Sequence, residues 1–219
     1  MDTDIVIRPY QVCDRSVVRR ICLDTADRGQ PLPLGGLDGE LVADLVTRYY
    51  TDIDPRWSWR AEERGQVIGY VMTALDTRAF RRAMAWRIVP GAVSRAVGRG
   101  LLFSPAFWKM AQVFVRRRGR NITPHFPIPA RYPAHLHINL LDGYRGRGVG
   151  ERLITATAGQ LAAQKISGVH ATVRADNPGA CRFFERMDFT AIDHYNVVLP
   201  CGGGTQDVGV TVYGRLLVA

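Results

Sequence analysis

The sequence predicts one α/β domain, of the α+β kind, built on a mixed sheet and spanning residues 1–219. Three observations carry this. About seven runs show strand patterning and four show helical patterning, in mixed order and without internal repeats. The chain has 219 residues, 47% apolar and 22% charged, enough for one sizeable core. That composition excludes collagen-like, disulfide-scaffold and wholly disordered chains. Finally, a glycine-rich loop at 142–150 lies between a strand pattern and a helix pattern.

The elements follow in order. Ile5-Val6-Ile7 reads as a short strand ended by Arg8-Pro9. Residues 11–26 suit a helix with Val17, Ile21, Cys22 and Leu23 as its apolar stripe. Residues 29–36 are a loop, and 38–50 are helical with Leu41, Leu45 and Val46 inward. Trp57-Ser58-Trp59 alternates like a strand, Arg64-Gly65 is a hairpin turn, and Val67 to Leu75 is the returning strand.

Residues 77–132 interrupt this pattern with helical pieces at 78–90 and 106–117, broken by Pro and Gly. A connection of this length needs structure of its own and usually a function. After it, Ala134 to Leu141 is a strand. Val149 to Lys165 is a helix with Val149, Leu153, Thr157 and Leu161 on one side. Val169 to Val173 is a strand. Pro178 to Met187 is a helix, with Asn177 as N-cap and Pro178 at its first position. Strands at about 190–199 and 208–217 flank the turn-forming CGGGTQD.

Charge is unevenly distributed. Lys+Arg is 29 and Asp+Glu is 20, a formal net of +9, and only Lys109 and Lys165 are lysines. Thr77 to Leu141 contains twelve cations and no acid. The rest of the chain is mildly acidic. The strongly basic segment therefore coincides with the insert at 77–132.

The N-terminus, MDTDIVIRPY, has acids where a signal peptide carries cations, and no apolar run reaches membrane-spanning length. The four cysteines form no C-x-x-C pair. A reduced, cytoplasmic protein is expected. No zinc spacing, H-E-x-x-H or G-x-S-x-G motif is present, so no metal site is expected.

The loop Asp142-Gly143-Tyr144-Arg145-Gly146-Arg147-Gly148-Val149-Gly150 is the sharpest local feature. Glycines there permit positive φ and close backbone approach, and the free N–H groups of a helix start attract an anion. It is neither a Walker A loop nor a Rossmann fingerprint. Arg145-x-x-Gly148-x-Gly150 after HLHINLL resembles the acyl-CoA pyrophosphate loop of the GNAT N-acetyltransferase superfamily. Asn177-x-x-Ala180 with Phe183-Phe184 and Phe189 is similar to the second motif of that superfamily, about 30 residues later. Within it, ICLDTAD, ALDTRAF and YPAHLHINLLDGYRGRGVG resemble bacterial acetyltransferases similar to the acetyltransferase-like C-terminal domain of O-GlcNAcase.

The resemblance implies a single GNAT-like domain whose mixed, mostly antiparallel sheet of about seven strands is flanked by helices. It implies acetyl-CoA as cofactor and an amine acceptor, small molecule or peptide lysine, acetylated by direct attack. Main-chain groups of Leu140 and Leu141 would pair with pantetheine. N–H groups of Arg145, Gly146, Arg147, Gly148, Val149 and Gly150 would take the pyrophosphate. Asn177 would reach the pantetheine arm, or act only as an N-cap.

His135, His137 and Asn139 share one strand face. His137 is the foremost base candidate, against a purely structural role, and Asp76 is the second. Two positions depart from the motif. Its usual Tyr is Phe184, which cannot give a proton, and its usual Gly is Asp188. Tyr144 or Tyr195 would then be the acid, or acid catalysis is absent. A CoA-binding domain without turnover fits the same residues.

For the basic insert three readings stand: a solvated helical cover, an acceptor-site lid with an aromatic wall, or a membrane or polyanion surface. No nucleic-acid motif is present, and nucleic acid is not an expected partner. Membrane contact is not the favoured reading, and either a monomer or a homodimer is compatible.

Overall fold

The computed structural model describes residues 4–31, 38–105, 107–108, 130–201 and 204–217, with side chains excepted at 198–201 and 204–205. A seven-stranded sheet forms the centre, in the order β1-β2-β3-β4-β5-β7-β6. The strands are β1 (Ile5–Pro9), β2 (Trp59–Glu63), β3 (Gln66–Ala74), β4 (Ala134–Leu140), β5 (Gly168–Arg174), β6 (Thr190–Cys201) and β7 (Gly204–Leu216). Every neighbouring pair is antiparallel except β4 and β5. The predicted fold class is the observed one.

Helices cover both faces. One carries α1 (Arg15–Thr25), α2 (Gly39–Arg48), α3 (Thr77–Ala83) and α4 (Val89–Gly98). The other carries α5 (Val149–Ala163) and α6 (Pro178–Arg186). Val149, Leu153, Thr157 and Leu161 of α5 are all buried, as their spacing requires. Asn177 caps α6 by accepting the Ala180 N–H at 3.1 Å, and Pro178 opens the helix. Arg64 and Gly65 both adopt positive φ, 48° and 81°, the hand that a two-residue hairpin between twisted strands needs.

Several details differ from expectation. β1 runs through Pro9, because an edge strand tolerates a missing N–H at its end. On α1 the inward set is Val18, Ile21, Cys22 and Thr25, and Val17 and Leu23 are only half-buried. Val46 is exposed, while Asp44 turns inward. Trp57 closes a short 3-10 turn, so β2 begins at Trp59. β6 and β7 extend into the glycine-rich turn. The helical piece expected at 78–90 is present as α3 and a π-turn at Met84–Ile88, and it continues beyond that range as α4. The expected helix at 106–117 falls outside the described residues except at 107–108.

Asp44 is inward because three arginines neutralise it: Arg19 at 2.7 Å, Arg95 at 2.5 Å and Arg15 at 3.7 Å. Arg19 is itself buried and also donates to the Glu40 carbonyl at 2.9 Å. Arg99 pairs with Asp38 at 2.8 Å. Part of the basic charge of 77–132 is therefore structural, pinning α4 onto α2, where Leu41, Ala92 and Ala96 pack. Removing one partner from such a buried network costs about 3–5 kcal/mol. Among the described residues no helix is long and apolar enough to cross a membrane.

Candidate active site

β4 and β5 pair only at Ala134↔Val169 and His135↔His170. Beyond that point β4 stays with β3, out to Gly69↔Leu140, and β5 stays with β7, out to Arg174↔Val210. The sheet thus splits into a V. The closed end is stitched by Tyr132, whose ring lies against Gly168 and Gly214, where a Cβ would come within 2.8 Å and 2.9 Å of it. The Tyr132 carbonyl accepts from His170 Nδ1 at 3.1 Å.

The V holds a cleft of about 730 Å³. Leu141 donates its N–H to Ile68 at 2.9 Å, so odd-numbered residues of this strand face β3. By alternation, the N–H and C=O groups of Ile138 and Leu140 face the cleft, where no strand pairs with them. The expected main-chain partner Leu141 is thus engaged within the sheet.

The glycine-rich loop closes the wide end. Gly143, Gly146 and Gly148 all adopt positive φ, and Gly148 is the N-cap of α5. The first-turn N–H groups of Val149, Gly150 and Glu151 have no acceptor within the helix. Gly150 lets the Phe183 ring approach, since a Cβ there would sit 3.0 Å from it. Val149 buries its side chain in the core, leaving only its main chain to the site.

Arg145 and Arg147, two residues apart, turn opposite ways. Arg145 lines the cleft, and its guanidinium donates to the Arg28 carbonyl at 3.4 Å. Arg147 lies over the Tyr144 ring and pairs with Glu63 at 3.0 Å. Tyr144 likewise donates to Glu63 at 2.9 Å, which raises its pKa. The hydroxyl of Tyr144 is committed outside the cleft. Tyr195 stands on β6 and does not line the cleft either.

Asp76 caps α3, accepting the Arg78 N–H at 2.7 Å, and is exposed at the closed end, away from the lining. His135 is held by Tyr50 at Nε2 (2.7 Å) and by Thr77 at Nδ1 (2.9 Å). Thr77 gives its own proton to the Pro133 carbonyl at 2.9 Å, so it accepts from His135 Nδ1–H. Both ring nitrogens are thereby satisfied, and His135 is structural.

His137 lines the cleft, with its Nδ1 3.5 Å from the Tyr70 hydroxyl. Desolvation lowers its pKa to about 4, so it is neutral at pH 7 and a weak base. Asn177 keeps its amide nitrogen for the cleft. Phe184 is buried on the cleft floor, stacked on Tyr213 at 6.0 Å. Cys181 packs among core residues.

Sequence reasoning missed one wall. Thr25, Ala26, Arg28 and Gly29, following α1, line the cleft opposite Thr172 and Arg174. Arg174 donates to Asp27 at 3.1 Å, and Gly29, with φ +91°, lies against the Arg145 guanidinium. The Gly29 turn was the available signal. Four lining arginines, at 28, 145, 174 and 186, face one acid, Glu151, so the cleft attracts anions.

Residues 124–189 match the model of the Acetyltransferase (GNAT) family. That stretch contains β4, the glycine-rich loop, α5, β5 and α6, the walls of the cleft. Over that stretch the chain is similar to the GNAT acetyltransferases. The GNAT fold extends well beyond the matched stretch. The crystal structure of SsHAT superposes with a TM-score of 0.71 at 24% identity, covering 99% of this chain and 100% of that one. YncA, a putative acetyltransferase from Salmonella typhimurium solved with its cofactor acetyl-CoA, gives 0.58 at 13% identity, covering 99% and 95%. The polyamine N-acetyltransferase of Drosophila melanogaster gives 0.55 at 14%, covering 97% and 100%. At these identities the likeness is one of fold.

Proposed function

We propose that this protein is a GNAT enzyme, an acetyl-CoA-dependent N-acetyltransferase acting on an amine acceptor, a small molecule or a peptide lysine. The observation that carries this is the unpaired edge of β4 running straight into the uncapped first turn of α5. An amide-bearing arm ending in a pyrophosphate fits that order of groups.

The residues present fit the cofactor. Main-chain groups of Ile138 and Leu140 would hold the pantetheine amides. The N–H groups of Val149, Gly150 and Glu151, with the Arg145 guanidinium, would hold the pyrophosphate. The Asn177 amide nitrogen would reach the arm, its oxygen being engaged by the Ala180 N–H. Phe183 and Phe184 supply an apolar floor that keeps water out. When bound, the cofactor supplies an acetyl thioester.

His137 then serves as a donor more readily than as the base the sequence suggested. The Tyr70 proton placed on Nδ1 leaves Nε2–H directed at the cleft, ready to polarise a carbonyl. An acceptor amine with a reference pKa of about 10.4 reacts as its small neutral fraction at pH 7. Acetylation should therefore accelerate steadily with pH, without an inflection near 6.5. Phe184 gives no proton, and that observation favours the second reading, a CoA-binding domain without turnover.

Calorimetry with acetyl-CoA followed by free-thiol release against amines, histone-like peptides and amino sugars separates the readings. Micromolar binding with acceptor-dependent thiol release is expected. Binding without release selects the second reading, and no binding below millimolar overturns both.

A further inference from the structure

The helical run through α3, the π-turn and α4 is apolar on two opposite faces. Ile88, Ala92 and Ala96 face the protein and are buried. Trp86, Pro90, Val93 and Val97, at i, i+4, i+7 and i+11, form a second stripe on the opposite side, all exposed. Trp86 is 81% exposed and Val97 53% exposed. Phe103, 92% exposed, and Trp108 follow in the same segment. Most of the large apolar side chains exposed among the described residues belong to this segment.

Its charges share one sign. Arg78, Arg82 and Arg87 are exposed beside the stripe, and none forms an ion pair among the described residues. No acid occurs from Thr77 to Leu141 to neutralise them. This differs from Arg95 and Arg99, which are committed to Asp44 and Asp38 on the buried side.

We propose that the Trp86–Val97 face of the insert docks on an anionic lipid surface. A tryptophan and branched aliphatic side chains enter the headgroup boundary, and the flanking guanidinium groups meet lipid phosphates. Charge complementarity selects this occupant. A symmetric contact between two copies would bring like-charged Arg82 and Arg87 groups together around the stripe. A nucleic acid would leave the apolar stripe without a partner. The inference is independent of catalysis.

Flotation of the full chain with vesicles of phosphatidylcholine alone, and with about 30% phosphatidylglycerol, tests it. Binding is expected only to the anionic vesicles, and should weaken as salt rises. Arg82→Ala with Arg87→Ala should lower binding about 25-fold, fivefold for each cation near the surface. Trp86→Ala with Val93→Ser and Val97→Ser should abolish it. These positions are exposed, and circular dichroism checks that the variants fold. Absence of binding by the folded wild type overturns the proposal, as does equal binding by the variants. So does a concentration-dependent dimer in sedimentation that the triple variant loses, which would make the stripe a self-contact.

Discussion

The hydroxyl of Tyr70 lies 3.5 Å from Nδ1 of His137 and accepts the Asn139 amide at 3.2 Å. Tyr70 is buried, and burial holds its pKa well above the ordinary phenol value, so it keeps its proton. With its oxygen engaged by Asn139, that proton has Nδ1 as an acceptor, with the Cys22 thiol as the competing one. His137 should therefore be the Nε2–H tautomer, distinguishable by ring nitrogen shifts in ¹⁵N NMR. Tyr70→Phe should shift the tautomer balance and lower the acetylation rate about tenfold, equivalent to about 1.4 kcal/mol. A Nδ1–H signature in the wild type would overturn the donor role.

Acid sensitivity follows from three histidines. Desolvation lowers His135 to about 3 and His137 and His170 to about 4; proximity to His170, His137 and Arg81 pushes His135 down further. Each binds its proton more weakly in the folded chain than in the unfolded one. Their contribution is fully present above about pH 6.5 and is lost as pH falls toward 4. Each contributes a slope of up to about 1.4 kcal/mol per pH unit. Asp38 and Asp52 are held below the usual carboxylate value despite burial, by Arg99 and Arg15 respectively, so their loss comes below this window. Urea melts between pH 7.5 and 4.5 should show stability falling steeply within it. A flat profile there would sink the assignment.

The two loop arginines should separate in cofactor binding. Arg145→Ala removes a guanidinium lining the cleft and should weaken CoA binding about tenfold, most at low salt. Arg147→Ala removes a side chain turned toward Glu63 and Tyr144, and should change binding less than twofold. Calorimetry on both variants checks this; equal losses would show that the loop rearranges around the cofactor.

Much of this was legible because it rests on local chemistry. The α5 stripe, the Asn177-Pro178 start of α6 and the Arg64-Gly65 turn each depend on a few adjacent residues. Other features depend on distant partners. Asp44 turns inward only because Arg19 and Arg95 arrive from other helices. The wall at Thr25–Gly29 joins the cleft because Arg174 and Arg145 hold it there. Likewise, nothing local in Arg-Gly-Arg shows that one guanidinium faces the cleft and the other Glu63. The alternation His135, His137, Asn139 predicted a shared face, but only Tyr50 and Thr77 distinguish the structural histidine from the one left open.

Asp188 stands where the superfamily motif has glycine, and its φ of 63° is the left-handed value that glycine accommodates. It follows α6, and its N–H and that of Phe189 close the helix on the Glu185 and Phe184 carbonyls at 3.2 Å and 3.1 Å. The backbone has kept the glycine conformation although the residue changed. A left-handed residue with a side chain costs up to about 1–2 kcal/mol, less for Asp, and a carboxylate is unfavourable at a helix C-terminus. Its pair with Arg215, at 3.7 Å and largely exposed, offsets little. Asp188→Gly should therefore stabilise the fold by about 0.5–1 kcal/mol, raising Tm by about 1–4 °C. Asp188→Asn should give a smaller gain by removing charge alone, and Asp188→Ala none. Thermal melts of the three variants rank them, and a loss of stability in Asp188→Gly would mean that the Arg215 pair outweighs the backbone strain.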